Sequence, residues 1–302
     1  MTGRALAIAG IMAASAATGI ARGDVPAPAP DTHEAWIQCP RCHPSHWTTE
    51  EARPFVSLRI DAGYLYFKPR LSFGYGKPFA LWAGIDVAPL ATPDYAGGYS
   101  GLRLQLPWFD IRAGARAVHA FLHQFLKQQD SYTLVDLAEI TGHATNYLDF
   151  EAELAGAIPL GPGSILLLAT ASAIQSVPTG YDVYDENLRV IVRPPPVYRA
   201  RAGYALRVLP EKNAQVALVG EVLEIPDRKT QVVRAGLVAT FDIDDHFQAI
   251  ATLVAPIVSP DSIGLAGADY TELGIRYRWA TGHSHSPQER IPDEITAIAG
   301  KR

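Results

Sequence analysis

Two cysteines occur in the 302-residue chain, and they stand three apart. With the next residue they read Cys39-Pro-Arg-Cys42-His43. Two thiols at this spacing can each form a thioether with a haem vinyl group, and the adjoining imidazole can then meet the iron from one face. C-x-x-C-H is the attachment pattern of c-type haem. Cys39 and Cys42 are therefore the candidate anchors of one haem c, and His43 is the candidate proximal ligand to its iron. Two other chemistries stay open for the thiols. In an exported chain they can close a small disulfide. They can also bind another metal, although a zinc site wants more ligands than one cysteine pair.

The second axial ligand has several candidates. Met1 and Met12 are the only methionines. Both fall in a segment expected to be removed, so methionine ligation would need a partner protein. His33, His119, His123, His143, His246, His283 and His285 are the candidate imidazoles, while His46 stands too close to His43 to reach the opposite haem face. His283-Ser-His285 alone is a weak metal site. A hydrolytic reading built on His119 and His123, or on His143-Ala-Thr-Asn146, finds no G-x-S-x-G nucleophile motif to support it. The chain thus reads more as an electron-transfer protein than as an enzyme.

The elements around this motif give it a setting. Arg4 precedes an apolar, alanine-rich run from Ala5 to Ala17 and a small-residue exit to Gly23, the pattern of an export signal over residues 1–23. Its loss takes Arg4 and Arg22 and moves the net charge from −5 to −7. Residues 24–53 begin with the stiff run Val25-Pro-Ala-Pro-Ala-Pro30 and continue into the cysteine motif. A negative net charge gives no footprint for nucleic acid. A hydrophobic fraction of 48% excludes a disordered chain. Composition also excludes a coiled coil and a polytopic helical membrane protein, but not a membrane β-barrel, whose strands hide in average hydropathy.

From residue 54 the pattern has a period of two. Val56, Leu58, Ile60, Ala62, Tyr64 and Tyr66 alternate with Ser57, Arg59, Asp61 and Gly63. The same alternation recurs over 147–158, 198–208, 233–243 and 272–279, with further strands near 78–88, 99–107, 109–124, 164–176, 214–225 and 247–258. That makes eleven, and a twelfth is sought in Tyr132–Ile140 or in the irregular stretch 68–77. Even strand numbers are the rule for bacterial membrane barrels. The predicted strands are long, about 10–13 residues against ~5–6 in soluble sheets. Tyr64, Tyr66, Trp82, Trp108, Tyr198, Tyr277 and Trp279 stand near strand ends, as in interfacial girdles. Tight connections (106–109, 159–163, 210–213, 243–246) alternate with long ones (126–145, 177–196, 259–267). The expectation is an all-β chain: a transmembrane antiparallel barrel of about 12 strands over 54–279, a polar tail over 280–302, and the irregular C-x-x-C-H segment in front.

Such a barrel turns its apolar rows to lipid and its charges inward. Arg59, Arg103, Arg112, Arg116, Arg199, Arg201, Arg207, Arg234, Arg276 and Arg278 are expected in the lumen. So are Asp61, Asp86, Asp110, Asp149, Glu151, Glu153, Glu221, Asp242 and Glu272. Of 26 basic residues, 20 are arginine, whose planar fork suits confined carboxylate pairs better than lysine does.

An exported single C-x-x-C-H segment directly ahead of a β-barrel resembles the fused monohaem cytochrome–porins of the bacterial outer membrane, including those of iron-oxidising bacteria. The likeness is one of architecture, with Cys39, Cys42 and His43 as its local match. The lead-in Glu34-Ala-Trp-Ile-Gln38 and the shorter barrel depart from that family. What the resemblance implies is electron transfer across the outer membrane, between an extracellular donor such as ferrous iron and a periplasmic carrier. The alternative is an outer-membrane porin or structural barrel in which Cys39 and Cys42 form a disulfide and no haem is bound.

Overall fold

The computed structural model describes residues 52–63, 66–121, 124–138, 145–209, 213–244, 246–269 and 273–281. The expected export signal, the proline-rich linker, Cys39, Cys42, His43 and nearly all of the polar tail lie outside these residues, as do His33, His46, His123, His143, His283, His285, Tyr64 and Glu272. Among the described residues no helix is long and apolar enough to cross a membrane.

In chain order the elements are β1 (Arg53–Gly63), β2 (Phe67–Lys77), β3 (Leu81–Ala91), β4 (Tyr95–Gln105), β5 (Phe109–Ala120), β6 (Leu126–Lys127), α1 (Leu134–Ala138), β7 (Asn146–Leu160), β8 (Gly163–Gln175), β9 (Tyr181–Asp185), β10 (Val190–Val192), β11 (Pro196–Leu209), β12 (Ala214–Ile225), β13 (Thr230–Asp242), β14 (Phe247–Val258) and β15 (Gly274–Ala280). Twelve of the strands form a closed antiparallel barrel in the order β1, β2, β3, β4, β5, β7, β8, β11, β12, β13, β14, β15. It closes where Ser57 to Gly63 of β1 face Ala280 to Gly274 of β15. The three short strands β10, β9 and β6 make a separate small sheet.

The twelfth strand is β2, in the stretch whose sequence looked irregular. Its alternation is intact: Phe67, Leu71, Phe73 and Tyr75 are exposed outward, while Lys68, Arg70, Ser72, Gly74 and Gly76 turn inward. Proline and glycine disguise it. Pro69 offers no N–H, and the ladder to β3 has no partner between Phe67 and Leu71, so little is lost there. Gly74 lets Trp82 lie against the backbone, since a Cβ there would come within 2.6 Å of the indole Cε3. The other candidate region holds α1 instead of a strand.

Facing follows the expectation. Leu218, Leu237 and Leu253 stand at one level on three adjacent strands and are 67%, 53% and 58% exposed. Arg59, Asp61, Asp86, Arg116, Glu151, Glu221, Arg234 and Arg276 are buried on the inner side. A soluble sandwich would bury the leucines and wet the charges. The lumen is not charged throughout, however. Ala157, Leu166, Ala205, Ala217, Val219, Val238 and Val254 form an apolar cluster inside the wall from β7 to β14. The aromatic girdle also needs correction. Trp108, Tyr198 and Trp279 are exposed at strand ends, but Trp82 points into the lumen and Tyr66 packs on the core. Trp82 donates from Nε1 to Gln105 Oε1 at 2.6 Å, so its polar edge is satisfied inside.

An even strand number returns the chain to the side where it began. Both Arg53 and Thr281 therefore stand at the end that carries the short connections 78–80, 106–108, 161–162, 210–213 and 243–246. The long connections 121–145, 176–195 and 259–273 crowd the opposite, loop end.

Placing a charge in the leucine row tests the facing. Leu218→Arg is expected to weaken insertion into vesicles by about 2–4 kcal/mol, the cost of arginine near a bilayer midplane. Denaturant titration in lipid, against Leu218→Ala, checks it.

Candidate functional site

The inner wall carries a lattice of arginine–carboxylate pairs, because every second residue of each strand projects into a space too narrow for much water. Arg276 Nε donates to Asp61 Oδ1 at 2.6 Å, and Arg59 lies 3.2 Å from the same carboxylate. Arg103 bridges Asp86 and Asp110. Arg116 holds Glu151 through two nitrogens at 3.1 and 2.8 Å, and Arg112 reaches Glu153 at 2.9 Å. Both guanidinium groups lie over the ring of Tyr99. On the opposite wall Glu221 accepts from Arg199 (2.6 Å), Arg201 (2.7 Å) and Arg234 (2.9 Å). Every charged residue expected in the lumen that is described here does turn inward, with Arg112, Glu153, Arg199, Arg207 and Asp242 only partly buried.

The loops complete this lattice. β15 pairs with only the first part of β14, and Asp269 takes the vacant ladder position beside Val254, with both backbone bonds at 2.8 Å. From there its carboxylate pairs with Arg199 and Arg201. The β9–β10 hairpin enters the loop end of the barrel. Val183, Leu188, Val190 and Val192 pack there against Leu90, Val118, Ile174, Leu223 and Ile225 of the inner wall. Arg234 fixes its tip, donating to the carbonyls of Leu188 (2.9 Å) and Arg189 (2.7 Å) while it also holds Glu221. Outside this plug, Arg228 pairs with Asp261, and Asp182 accepts from Arg193 and from the Tyr132 hydroxyl at 2.7 Å. Burial and the Asp182 carboxylate push the Tyr132 phenol up, so it stays a neutral donor.

Asp185 lies at the heart of the plug. Its Oδ1 accepts from the amides of Asn187 (2.9 Å) and Leu188 (2.6 Å), and its Oδ2 faces the Tyr147 hydroxyl at 3.4 Å. Burial pushes its carboxyl up to about 6, against the pull of those amides and of Arg116, with Glu186 adding to the rise.

The histidine candidates separate by end. His119 is exposed on the outer face near the loop end, with Nδ1 against Asn146 Oδ1 and its ring edge-on to Phe121. His246 sits in the β13–β14 connection at the short-turn end, stacked on Tyr277, with Nδ1 3.1 Å from the Arg278 carbonyl. Among the described residues no group of three His, Cys, Asp or Glu side chains is arranged to hold a metal. Sequence reading missed Asp182, Asp185, Arg228, Asp261 and Asp269 as parts of the lumen and its closure. The signal for the hairpin was present: Tyr181-Asp-Val-Tyr-Asp185 and Val190-Ile-Val192 flank an Asp/Glu/Asn turn. No family model matches the chain, and no curated protein matches its sequence.

Two outcomes follow for the plug. Arg234→Met removes both tip bonds but leaves Glu221 with Arg199 and Arg201, so it should loosen the hairpin and raise single-channel conductance in planar bilayers. A carboxyl whose folded value lies above its unfolded one stabilises the folded state at low pH and ceases to do so as pH rises through about 6. Protection factors of the plug amides, corrected for intrinsic exchange, should therefore fall across that range, and Asp185→Asn should reduce that fall. The neighbours Arg116, Tyr147, Asp149 and Glu186 stay unchanged in that variant.

Proposed function

We propose that the protein is an outer-membrane electron-transfer barrel carrying one c-type haem at its short-turn end. A barrel with an apolar outside fits the outer-membrane bilayer, and short turns are the periplasmic ones in such barrels. The carrying observation is a lumen that, among the described residues, holds ion pairs, an apolar cluster and a hairpin, in a barrel whose first strand starts at the short-turn end. A channel filled with ion pairs, an apolar cluster and a hairpin gives little support to bulk solute diffusion. The donor set suits the cofactor: Cys39 and Cys42 would hold it by thioethers and His43 would ligate the iron. When bound, the haem supplies one-electron oxidation and reduction at its iron. The ten Cα–Cα steps from His43 to Arg53 span at most about 36 Å, so the tether starts from the short-turn end. Of the described histidines, His246 lies at this end and His119 at the other, so His246 is the better second ligand. A periplasmic carrier would then be the partner on this side, and an extracellular donor such as ferrous iron the partner on the loop side.

Producing the full chain with haem-maturation factors and recording a reduced-minus-oxidised spectrum tests this. The expected result is a haem spectrum that survives denaturation, lost in the Cys39→Ser/Cys42→Ser double variant. A colourless protein, or full covalent haem in the double variant, overturns the proposal; the colourless outcome selects the disulfide-bearing barrel.

A further inference from the structure

Three arginines stand side by side on three neighbouring strands. Arg59 of β1 is directly opposite Arg278 of β15 on one side and Arg70 of β2 on the other. All three are buried and face the lumen. Like charges directly across a ladder repel. One level toward the loop end the same three strands carry Arg276, Asp61 and Lys68, an alternating set. One level toward the short turns they carry Ala280, Ser57 and Ser72, with two hydroxyl groups and no charge. The middle row is the anomaly.

These side chains enclose a cavity of about 10 Å³, room for about one water-sized particle. Its lining includes Arg59, Arg70, Arg103, Arg278, Ser57 and Ser72, and it contains no carboxylate. Trp82, Gln105 and Phe79 cover it toward the short turns, with Gln105 Nε2 donating to the Phe79 carbonyl at 3.2 Å. Each nearby carboxylate already faces an arginine, although the buried Asp86 Oδ1 has no hydrogen-bond partner among the described residues. Asp61 serves Arg276 and Arg59, Asp110 serves Arg103, and Asp242 serves Arg278. Asp86 Oδ2 lies 3.2 Å from Arg103 and 3.9 Å from Arg70 Nε, the latter beyond hydrogen-bond reach. Among the described residues Arg70 Nε, though buried, has no hydrogen-bond partner. With Lys68 of the next row, the five arginines outnumber the four carboxylates Asp61, Asp86, Asp110 and Asp242, so the neighbourhood carries excess positive charge.

The geometry points to a binding site for one monatomic anion of the chloride class, seated between the arginine row and the Ser57 and Ser72 hydroxyls. An anion offsets part of the excess positive charge, and room for about one water-sized particle favours a monatomic anion over phosphate or a carboxylic acid. Arg70 Nε and the Ser57 hydroxyl supply donors, while the Ser72 hydroxyl is shared with Asp86, and guanidinium–anion bonds are strong where water is excluded. This site stands independently of the haem.

Full-length protein in phospholipid-free detergent is titrated with bromide and, at matched ionic strength, with gluconate, while thermal unfolding is followed. Bromide and chloride should raise the midpoint saturably, and gluconate, too large to enter, should not. Crystals grown in bromide should show an anomalous peak beside Arg70. Arg70→Gln should weaken halide binding about tenfold or more, the loss of one charged hydrogen bond. In gluconate that variant should be at least as stable as the parent, because the row repels itself less. Coincident halide and gluconate curves for the parent protein, or a water in place of the bromide peak, overturn the assignment even where Arg70→Gln fails to fold.

Discussion

A sheet in hydrocarbon cannot leave an edge, since each unpaired N–H or C=O there costs several kcal/mol. Closure is the constraint on which the rest of this molecule depends. It fixes an even number of antiparallel strands, and that number returns both ends of the barrel to one side. It also fixes facing. Once lipid claims one side of each strand, the other side has nowhere to go but a narrow interior, and whatever charge the sequence places there must be neutralised by its neighbours. The one weak seam, where β15 is too short to cover β14, is mended by the backbone of Asp269.

Inside, burial is tolerable only because charges are shared. Glu221 is fully enclosed and would be costly alone, yet it meets three guanidinium groups. Removing one partner of such a pair costs more than the pair contributes to stability, because the other charge stays behind. Arginine suits this work: its fork reaches two acceptors at once, as Arg103 does between Asp86 and Asp110 and Arg234 does between Glu221 and two hairpin carbonyls. The plug is thus held by the same residues that balance the wall. Apolar packing of Leu188 and Val190 seals it, and Arg234 sets its depth.

Much of this was legible in period-two alternation. The facing of Arg59, Glu151 and Glu221 follows from strand geometry alone, and so does the outward row that includes Leu237. β2 was harder to read because its inward residues include Gly74 and Gly76, which are chosen for close backbone approach and not for polarity. Trp82 misled for a related reason. An aromatic near a strand end is equally at home at the interface or under a turn, and only its inward parity and the partner Gln105 decide. The apolar cluster around Val219 was marked in the sequence of β12, where residues on both faces are apolar. The roles of Asp261 and Asp269 were not legible. Their pairing with Arg228, Arg199 and Arg201 depends on how loops fold back over the barrel, which no local period encodes.

A closed interior also bears on what such a protein can move. Diffusion needs a continuous wet path, and among the described residues the lumen holds ion pairs, the Val219 cluster and the hairpin. Electrons have no such requirement; they need a redox group held at a defined place and surroundings that change little when its charge changes. A dense, internally compensated lattice provides such surroundings, because its charges are fixed by mutual hydrogen bonds and do not reorient as water would. Such rigidity is what the proposed covalently tethered group at the mouth would require. In the sequence nine residues separate His43 from Arg53, where β1 begins at the short-turn end that also carries His246.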